Sequence, residues 1–418
     1  MKGFVASWFF PPNTSAEGLV TFKLLKYSKN SYDVCHSLSN KWCYNKKSEL
    51  EASNINCLPI KTDSIEEWVE QAINVFESHN KSKHYDFIMT RSMPPESIKI
   101  GCEIKKRYPN IKWIASFGDP IANNPYQIYD CLYNDRWISG KFLTKIKITQ
   151  ALKCIRLLEK IAIGKYRKIN YDNKLERMAF KKADTLIFPS AEQCNYSCSN
   201  ILIDNIIEKS TIIPHSYDSE MYHTDDKKND EDIKKFTYIG YMNKLRSGEL
   251  LIRALNYIRI NFEKELNGIS FYFVGNIPQD IIELICEYKL EKYVFIIPSV
   301  DYLTSLKIMQ QSDWLIHIDA YFSFITEESI FFASKLVDYL GCNLPILGFT
   351  SRGSVSGKII INNNGVVIDS QDIIEVAVTL MKLFKDSNSH INKNYSNLYD
   401  AINIAEKFDK IIGDGKNV

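Results

Sequence analysis

The stretch SKLVDYLGCNLPILGFTSRGS, from Ser334 to Ser354, begins with the apolar spacing of a helix. Leu336, Val337 and Leu340 recur at helical spacing along one face. Gly341 tolerates the positive φ that often ends a helix, and a proline follows shortly after it. The pattern predicts a short amphipathic helix that stops near residue 341.

A strand and a polar loop are predicted directly after this helix. Leu344 to Leu347 form an apolar run that is typical of a buried strand in a parallel sheet. In an open α/β sheet, ligands bind beyond the carboxyl ends of the strands. Arg352, Gly353 and Ser354 lie at that position, so the stretch predicts a ligand-binding corner of an α/β protein.

The rest of the chain repeats this alternation of strands and helices, which predicts doubly wound parallel sheets. Its 418 residues are too many for one ordinary core, so two domains of about 200 residues are expected. The first half has predicted strands at 3–9, 32–36, 56–60, 85–90, 112–117 and 185–188, and helices at 17–27, 64–79 and 94–107. The second half has predicted strands at 236–240, 271–275, 293–297, 313–318 and 344–347, and helices at 247–262, 279–288, 302–311, 370–385 and 389–409.

The domain boundaries follow from composition. Residues 1–217 form the predicted N-terminal domain, and residues 236–390 form the C-terminal one. Between them, residues 218–235 are dominated by Asp, Lys and Asn, which is typical of a solvated linker. Residues 391–418 are predicted to close the chain with a helix.

Composition indicates a folded protein without a membrane span. Hydrophobic residues make up 45% and charged residues 24% of the chain, and its apolar runs fall short of the roughly 20 residues of a membrane-spanning helix. Pro11 and Pro12 interrupt the apolar N-terminus, so we expect a first strand there and not a secretory signal. The 10 cysteines form no CxxC pair, which favours reduced thiols in the cytoplasm and no zinc site.

Charge is unevenly distributed along the chain. Residues 136–182 carry 14 Lys and Arg against 3 Asp and Glu, while the remainder carries 38 against 47. Trp137, Phe142 and Leu143 lie among these lysines. One interpretation is a solvated face over the protein's own core; the other is an amphipathic surface for anionic lipid headgroups. We expect no nucleic-acid partner, because no nucleic-acid-binding motif is present.

Two loops of the N-terminal half have the composition of a binding site. Asn13 to Gly18 precede a helix, whose N-terminus favours an anion, although a plain βα turn explains the loop equally well. Asp119 follows a predicted strand in the sequence SFGDP. Its carboxylate either accepts a hydrogen bond from a ligand hydroxyl or makes a local turn contact.

The order of these motifs resembles the family 4 glycosyltransferases of the GT-B fold. The stretch from Ser334 is similar to the branch of that family that reads SKL, acidic residue, YL and then Pro. Ala183 and Asp184 precede a strand, and Ser190 follows it, as in the family. Residues 212–218, IIPHSYD, stand where the family has a sequence similar to IPNGVD; His215 replaces the Asn and is assigned no catalytic role.

The resemblance implies an α/β protein of the GT-B class, with two facing Rossmann-like domains that have parallel sheets. The N-terminal domain then binds the acceptor, the C-terminal domain binds a nucleotide sugar, and the last helix crosses back to the first domain. The implied reaction is sugar transfer with retention to a glycan or a polyprenyl-diphosphate-linked acceptor. No metal or other cofactor is expected, and the sequence has no DxD triplet.

The biological setting that we expect is bacterial surface polysaccharide synthesis. The abundance of Ile and Asn indicates an AT-rich, bacterial genome. The enzyme is then cytoplasmic and peripherally associated with the inner face of the cell membrane, with its basic region on anionic lipid.

The loop from Gly240 to Gly248 is the predicted phosphate-binding loop, because it joins a strand to a helix. The family's Arg and Lys positions in this loop are Tyr241 and Ser247 here. Lys244 and Arg246 lie between them. Arg246 is the stronger candidate, since a guanidinium grips two oxygens at once; the alternative is that both are surface charges.

The family's E-x7-E motif is only half present. Asp338 stands at its second Glu, which binds the ribose, while Ile330 stands at its first. Glu327 and Glu328 precede Ile330 closely and are the candidates to compensate for the missing carboxylate.

The remaining predicted donor contacts are glycines, hydroxyls and one lysine. Lys335 is either a phosphate ligand or a solvated helix lysine, and Gly275 ends a strand where a base or ribose can approach closely. The predicted site has three groups: catalytic Arg246, Lys244 and Asp119; donor-binding Gly240, Gly275, Lys335, Asp338, Arg352, Gly353 and Ser354; acceptor-binding Glu17, Gly18 and Asp119.

Two other functions stay open at this point. One is a sugar-nucleotide epimerase on the same fold, which needs an acid/base set that the sequence does not supply. The other is a nucleotide-sugar-binding protein without catalysis, which the substitutions at Tyr241 and Ile330 favour.

Overall fold

The computed structural model describes residues 1–13, 15–38, 50–133, 169–199, 203, 205–222, 233–320, 322, 326–386 and 391–413. Residues 136–168, which hold most of the predicted basic region together with Trp137, Phe142 and Leu143, lie outside this part.

The N-terminal half of the described chain builds a parallel sheet in the order β3-β2-β1-β4-β5-β6-β7. Its strands are β1 (Lys2–Ala6), β2 (Ser31–Ser37), β3 (Ile55–Ile60), β4 (Phe87–Arg91), β5 (Lys112–Ser116), β6 (Thr185–Phe188) and β7 (Ser210–Ile212). The helices are α1 (Ala16–Lys26), α2 (Ile65–Lys83), α3 (Ser97–Arg107), α4 (Pro125–Tyr133), α5 (169–182) and α6 (Ala191–Ser199).

Local chemistry sets where the first two long helices begin. Ser15 caps α1 by accepting from the Gly18 backbone N–H, and Ser64 caps α2 by accepting from that of Glu67. Helix α2 then buries one face, on which Trp68 meets Trp8 edge-on with ring centroids 5.4 Å apart. Burial of such large rings on one face of the sheet holds the helix in place.

The C-terminal half builds a second parallel sheet, in the order β10-β9-β8-β11-β12-β13. Its strands are β8 (Lys234–Ile239), β9 (Ile269–Val274), β10 (Val294–Ile297), β11 (Trp314–Ile318), β12 (Ile346–Phe349) and β13 (Val366–Ile368). The helices are α7 (Glu249–Phe262), α8 (Gln279–Glu287), α9 (Tyr302–Gln310), α10 (Ser334–Gly341), α11 (Val355–Asn362) and α12 (Ile373–Lys385).

Stacked aromatic rings form the centre of the second core. Phe236 lies between Phe271 and Trp314, with centroids 5.0 Å and 6.1 Å away, and Phe384 of α12 meets it edge-on. The strands around these residues are almost entirely buried, which explains their continuous apolar runs.

The end of the described chain returns to the first sheet. Helix α13 (Lys393–Ser396) and a 3₁₀ turn (Asn397–Tyr399) lead to α14 (Ala401–Gly413). Ile404, Phe408 and Ile412 of α14 are fully buried in one cluster with Phe22 and Leu25 of α1. Helix α14 therefore completes the N-terminal core. Short 3₁₀ turns also lie at Ser219–Met221 and Glu263–Leu266.

The prediction of one continuous helix at 389–409 is wrong. The backbone N–H of Tyr217 donates to Tyr399 at 3.0 Å, and that of Ala401 donates to Tyr217 at 2.8 Å. This strand-like bridge to the interdomain segment requires an extended residue, and Asp400 has φ −64° and ψ 138°. The helix is therefore interrupted where the linker crosses it.

Most predicted elements are found with shifted ends. The strand predicted at 344–347 is β12 at Ile346–Phe349, and the helix predicted from residue 247 begins at Glu249. Its start moves because the Ser247 hydroxyl accepts from the backbone N–H of Glu249. In the part of the chain that the structure describes, no helix is both long and apolar enough to cross a membrane.

Candidate active site

Arg246 lies between the two domains. It follows β8 of the C-terminal sheet, and its Nη2 donates to the hydroxyl of Tyr126 in the N-terminal domain at 3.1 Å. The loop that carries it is held by Asn243, whose Oδ1 accepts from the backbone N–H groups of Leu245 and Arg246, both at 2.9 Å. The guanidinium is therefore fixed at the junction between the two domains, hereafter called the cleft.

Lys335 is the second cation at this place. Its Nζ is buried without a hydrogen-bond partner and lies 4.0 Å from the ring centroid of Tyr238. Burial and, after it, the charge of Arg246 hold the pKa of Lys335 well below its usual range, while Asp319 acts against them. The Nε of Arg246 is likewise buried and unpartnered. Two buried basic groups, one of which acts electrostatically on the other, suit an anionic ligand that carries more than one negative charge.

Glycines shape the floor below these cations. Gly240 has φ +133°, and a Cβ added to it would lie 3.5 Å from the Lys335 Nζ. Gly275 has φ +135°, and its Cβ would lie 2.2 Å from the carbonyl oxygen of Gly240. The close approach that Gly275 permits is therefore to the Gly240 backbone. Gly240 itself leaves space next to the lysine.

Lys244 and Tyr241, from the same loop, differ from Arg246 in their surroundings. Both side chains are exposed, Tyr241 at 55%. Lys244 lies at the edge of a cavity on the C-terminal domain. The structure therefore separates the two predicted phosphate ligands: Arg246 joins Lys335 in the cleft, and Lys244 does not.

The predicted acceptor residues meet on the N-terminal side of the cleft. Glu17, in the first turn of α1, pairs with Arg91 of β4, whose Nη1 also donates to Ser116 at 2.9 Å. A Cβ on Gly118 would lie 2.2 Å from the Glu17 carboxylate, so the loop that carries Asp119 passes directly against Glu17.

Gly18 has a packing role in the same turn. A Cβ on Gly18 would lie 2.7 Å from the carbonyl oxygen of Asn13 and 3.2 Å from the backbone of Phe10. It allows α1 to start close to the preceding turn, and this brings Glu17 to the cleft.

The pKa of the Asp119 carboxyl is strongly perturbed. Burial and, after it, the Glu17 carboxylate raise its pKa to about 7, while Arg91 and Arg246 oppose the shift. Near neutral pH this group exchanges readily between acid and base. The charge of Arg246 reaches Asp119 from the other domain.

Asp338 does not border the cavity or the two unpartnered cations. Its Oδ1 lies 2.6 Å from the Nζ of Lys23 in α1, in a pair whose side chains are 9% and 3% exposed. The hydroxyls of Tyr302 and Tyr222 donate to the same oxygen at 2.9 Å and 3.3 Å. The predicted ribose ligand is thus held by protein donors from both domains and the interdomain segment.

A cavity of about 400 Å³ opens beyond the carboxyl ends of β11, β12 and β13. Glu327 and Glu328, the proposed replacements for the missing motif carboxylate, both border it. Asp319 also lines it and is held by the hydroxyls of Ser329 at 3.3 Å and Thr350 at 3.1 Å. The apolar floor comes from the last residues of the three strands: Ile318, Phe349 and Ile368.

The loop predicted to bind ligand after β12 instead supports this cavity. The Ser354 hydroxyl accepts from the Gly357 N–H at 2.9 Å and so caps α11, and Arg352 is exposed. A Cβ on Gly353 would lie 2.4 Å from the Glu328 carboxylate, so this glycine leaves room for that side chain.

Some residues of the cleft carried no usable signal in the sequence. Tyr126 and Tyr238 contact the two cations, and both read as ordinary aromatic residues in the sequence. His215 is buried, stacks on Phe332 at 5.1 Å, and its pKa falls to about 3, chiefly because of burial.

Among the described residues, no three His, Cys, Asp or Glu side chains come together as metal ligands.

No family model and no curated protein match this sequence. Solved structures match over nearly the whole chain. Sucrose-phosphate synthase from Thermosynechococcus elongatus has a TM-score of 0.68 and 13% identity, covering 99% of this chain and 98% of its own. WaaG, a glycosyltransferase involved in lipopolysaccharide biosynthesis, has a TM-score of 0.60 and 14% identity, covering 99% of both chains.

A UDP-N-acetylglucosamine 2-epimerase from Listeria monocytogenes matches as well, with a TM-score of 0.59 and 10% identity over 100% of this chain and 96% of its own. Identities this low show the fold alone. The chain has the predicted GT-B fold, with two Rossmann-like domains that have parallel sheets.

Proposed function

We propose that this protein is a glycosyltransferase that moves a sugar from a nucleotide-sugar donor to a glycan or lipid-linked acceptor. One observation carries the proposal: the Nζ of Lys335 is buried and unpartnered within reach of the charge of Arg246, which contacts the other Rossmann-like domain through Tyr126. A nucleoside diphosphate is the ligand whose charge matches this pair. The leaving diphosphate gains charge as the sugar bond breaks, so fixed cations there stabilise the transition state.

The two domains then have separate tasks. Lys335, Arg246 and the space at Gly240 hold the donor phosphates on the C-terminal side. Asp119, on the N-terminal side, accepts a hydrogen bond from the acceptor hydroxyl, next to Glu17. The resemblance to family 4 implies retention, with the leaving phosphate deprotonating the acceptor, so no protein nucleophile is needed. Arg246 and Lys335 supply the positive charge that a metal ion supplies in other transferases.

The acceptor side of the proposal is bacterial surface polysaccharide synthesis on the inner face of the cell membrane. The basic composition of residues 136–182 supports it, since anionic lipid attracts such segments. A polyprenyl-diphosphate-linked glycan is presented at that surface. The similarity to a glycosyltransferase involved in lipopolysaccharide biosynthesis is consistent with this setting.

A sugar-nucleotide epimerase is the second candidate, because the fold is shared with a 2-epimerase. Incubation with radiolabelled UDP-, GDP- and dTDP-sugars, with and without a lipid-linked acceptor, separates the two. Transfer of label to the acceptor supports the proposal. Conversion of the donor to its epimer without an acceptor supports the epimerase, and binding without turnover supports a non-catalytic protein.

A further inference from the structure

The cavity next to the cleft has a strongly acidic lining. Within the described residues, the carboxylates of Asp319, Glu249, Glu327, Glu328 and Asp369 border it, against the cations Lys244 and Arg253. One of the two cations is already neutralised, because Arg253 pairs with Glu249 at 2.6 Å. The lining therefore has a net negative charge next to the buried basic side chains Arg246 and Lys335.

The acidic side chains are held in place by neighbouring groups. Glu328 accepts a short hydrogen bond from Ser351 and occupies the space that Gly353 leaves. Asp369 accepts from the backbone N–H of Arg352 at 3.0 Å. Oxygens fixed in this way still have lone pairs for further donors, because an ionised carboxylate has about four acceptor sites.

Hydroxyl-bearing side chains line the same cavity. The Oγ1 of Thr326 is buried and has no hydrogen-bond partner, and Thr326 lines the same cavity. With Ser329, Thr350 and Ser351 it forms a wall of hydroxyls beside the carboxylates. Carboxylates and hydroxyls over an apolar floor suit a polyhydroxylated ring.

We propose that this cavity receives the transferred sugar of the donor, and that its acidic lining selects an uncharged sugar or an amino sugar over one that bears a carboxylate. This inference rests on the proposed function. Asp319 connects the two places: it lines the cavity, and its charge acts on both Arg246 and Lys335. A donor that lays its diphosphate on the cations brings its sugar to this side.

The physical basis is like-charge repulsion in a partly enclosed space. Hydroxyls of a neutral hexose donate to Glu327, Glu328 and Asp369. The carboxylate of a hexuronic acid has no proton to donate and faces the same oxygens, so it is repelled. An amino sugar adds a cation, which the lining attracts.

The test uses pairs of donors that differ in one group. UDP-glucose and UDP-glucuronate share base, diphosphate and ring, as do GDP-mannose and GDP-mannuronate. Free UDP, GDP and dTDP report on binding of the nucleoside diphosphate without the sugar. Calorimetry on the full chain should show the neutral member of the preferred pair binding about tenfold tighter than its uronate, or more.

Charge-removing variants then locate the selectivity. Glu327→Gln and Glu328→Gln should each raise affinity for the uronate at least threefold while affinity for the free nucleoside diphosphate stays unchanged. Glu70→Gln is the matched control, since it removes the same charge from an exposed position on α2 of the other domain. This control variant should leave the ratio of the affinities for the neutral sugar nucleotide and its uronate unaltered. Glu327 is exposed, so the Glu327→Gln variant is expected to fold even if Glu328→Gln does not.

The outcomes are distinguishable. If none of UDP, GDP and dTDP binds to the wild type, the proposed function falls, and this inference falls with it. If one of them binds but the uronate binds as well as the neutral sugar, only this inference falls. It is also overturned if the neutral sugar is preferred and the Glu327 and foldable Glu328 variants keep that preference unchanged.

Discussion

Lys23 of α1 and Asp338 of α10 form an ion pair across the two domains, with 2.6 Å between Nζ and Oδ1. The residues are 315 positions apart in the sequence, and both side chains are almost fully buried. The Tyr302 ring lies over the same lysine, with its centroid 5.1 Å from Nζ. This cluster joins the first helix of one domain to the helix that borders the cleft in the other.

Lys23→Met should destabilise the protein strongly, because it leaves the Asp338 carboxylate buried without its cation. Removal of one partner from a buried pair costs about 3–5 kcal/mol, to be measured as the free energy of unfolding in urea. The matched control is Lys358→Met, which removes an exposed interdomain pair with Glu192 and should cost less than about 1 kcal/mol. Equal losses for the two variants would show that the buried pair does not hold the domains together.

The double variant Lys23→Met with Asp338→Asn should recover part of the loss, because no uncompensated charge then remains. Asp338→Asn also tests the ribose role that the resemblance implies. A more than tenfold fall in nucleotide affinity for Asp338→Asn, with a native circular dichroism spectrum, would show that Asp338 binds ribose. The ion pair between Lys23 and Asp338 would then have to open when the nucleotide binds.

Arg246→Ala should lower turnover more than it raises the donor KM, because charge on the leaving diphosphate grows in the transition state. Lys335→Met should weaken binding of a nucleoside diphosphate by about 1.5–3 kcal/mol, the range for a hydrogen bond to a charged group. Lys244→Met is the control from the same loop as Arg246. It should change turnover and nucleoside diphosphate binding little, since Lys244 is exposed outside the cleft. If Lys244→Met had the larger effect, the phosphates would lie at the cavity edge and not beside Lys335.

Stability should fall as pH rises from about 4 to about 7, through the contribution of Asp119. Its pKa is raised from 3.8 to about 7, so the folded state binds a proton that the unfolded state has already lost. This contribution is fully present below pH 4 and is lost as pH rises through 7. Asp119→Asn should therefore raise the unfolding temperature at pH 8 relative to wild type more than at pH 4.5. Glu176, with a pKa of about 7, remains in both proteins and cancels in the comparison.

Gly275→Ala should lower the unfolding temperature, because the added Cβ would lie 2.2 Å from the Gly240 carbonyl oxygen at a φ of +135°. Strain of this kind costs about 1–3 kcal/mol. Gly413→Ala is the control, since nothing lies within 4 Å of its Cβ position. An unchanged unfolding temperature for Gly275→Ala would mean that the ends of β8 and β9 separate easily.

Replacement of Lys141, Lys145 and Lys147 together by Glu should reduce binding to anionic vesicles and activity on a lipid-linked acceptor. Activity on a short soluble acceptor should persist. Binding of the wild type should also weaken as salt rises, once the Debye length falls to about 8–10 Å. Co-sedimentation with vesicles measures both effects, and a triple variant that sediments like the wild type would contradict membrane docking through this region.

The alternation of apolar runs and amphipathic helices was enough to predict doubly wound parallel sheets, because the central strands of each sheet are almost fully buried. The GT-B arrangement of the two domains was implied by the resemblance to a family. The candidate site was predicted less well. Arg246 and Asp119 follow strands at positions where the sheet ends converge, and this can be read from the sequence. The partner of Asp338 cannot, since Lys23 looks like any other helix lysine until the two domains are placed together.

The roles of glycines were also difficult to predict from the sequence. Gly353 was predicted as a ligand contact because it follows a strand, and the space it leaves is taken by Glu328. Sequence indicates that a position needs a small residue, and only the packed structure identifies what approaches it.

The return of α14 to the first domain has a consequence for the order in which the chain folds during translation. The ribosome completes residues 234–385, and with them every strand of the second sheet, before it makes Ile404, Phe408 and Ile412. Until those three side chains emerge, Phe22 and Leu25 of α1 lack the apolar neighbours that cover them. The C-terminal domain is synthesised later but can therefore complete its core first. The apolar surface of α1 in the N-terminal domain stays uncovered until the last helix has been made.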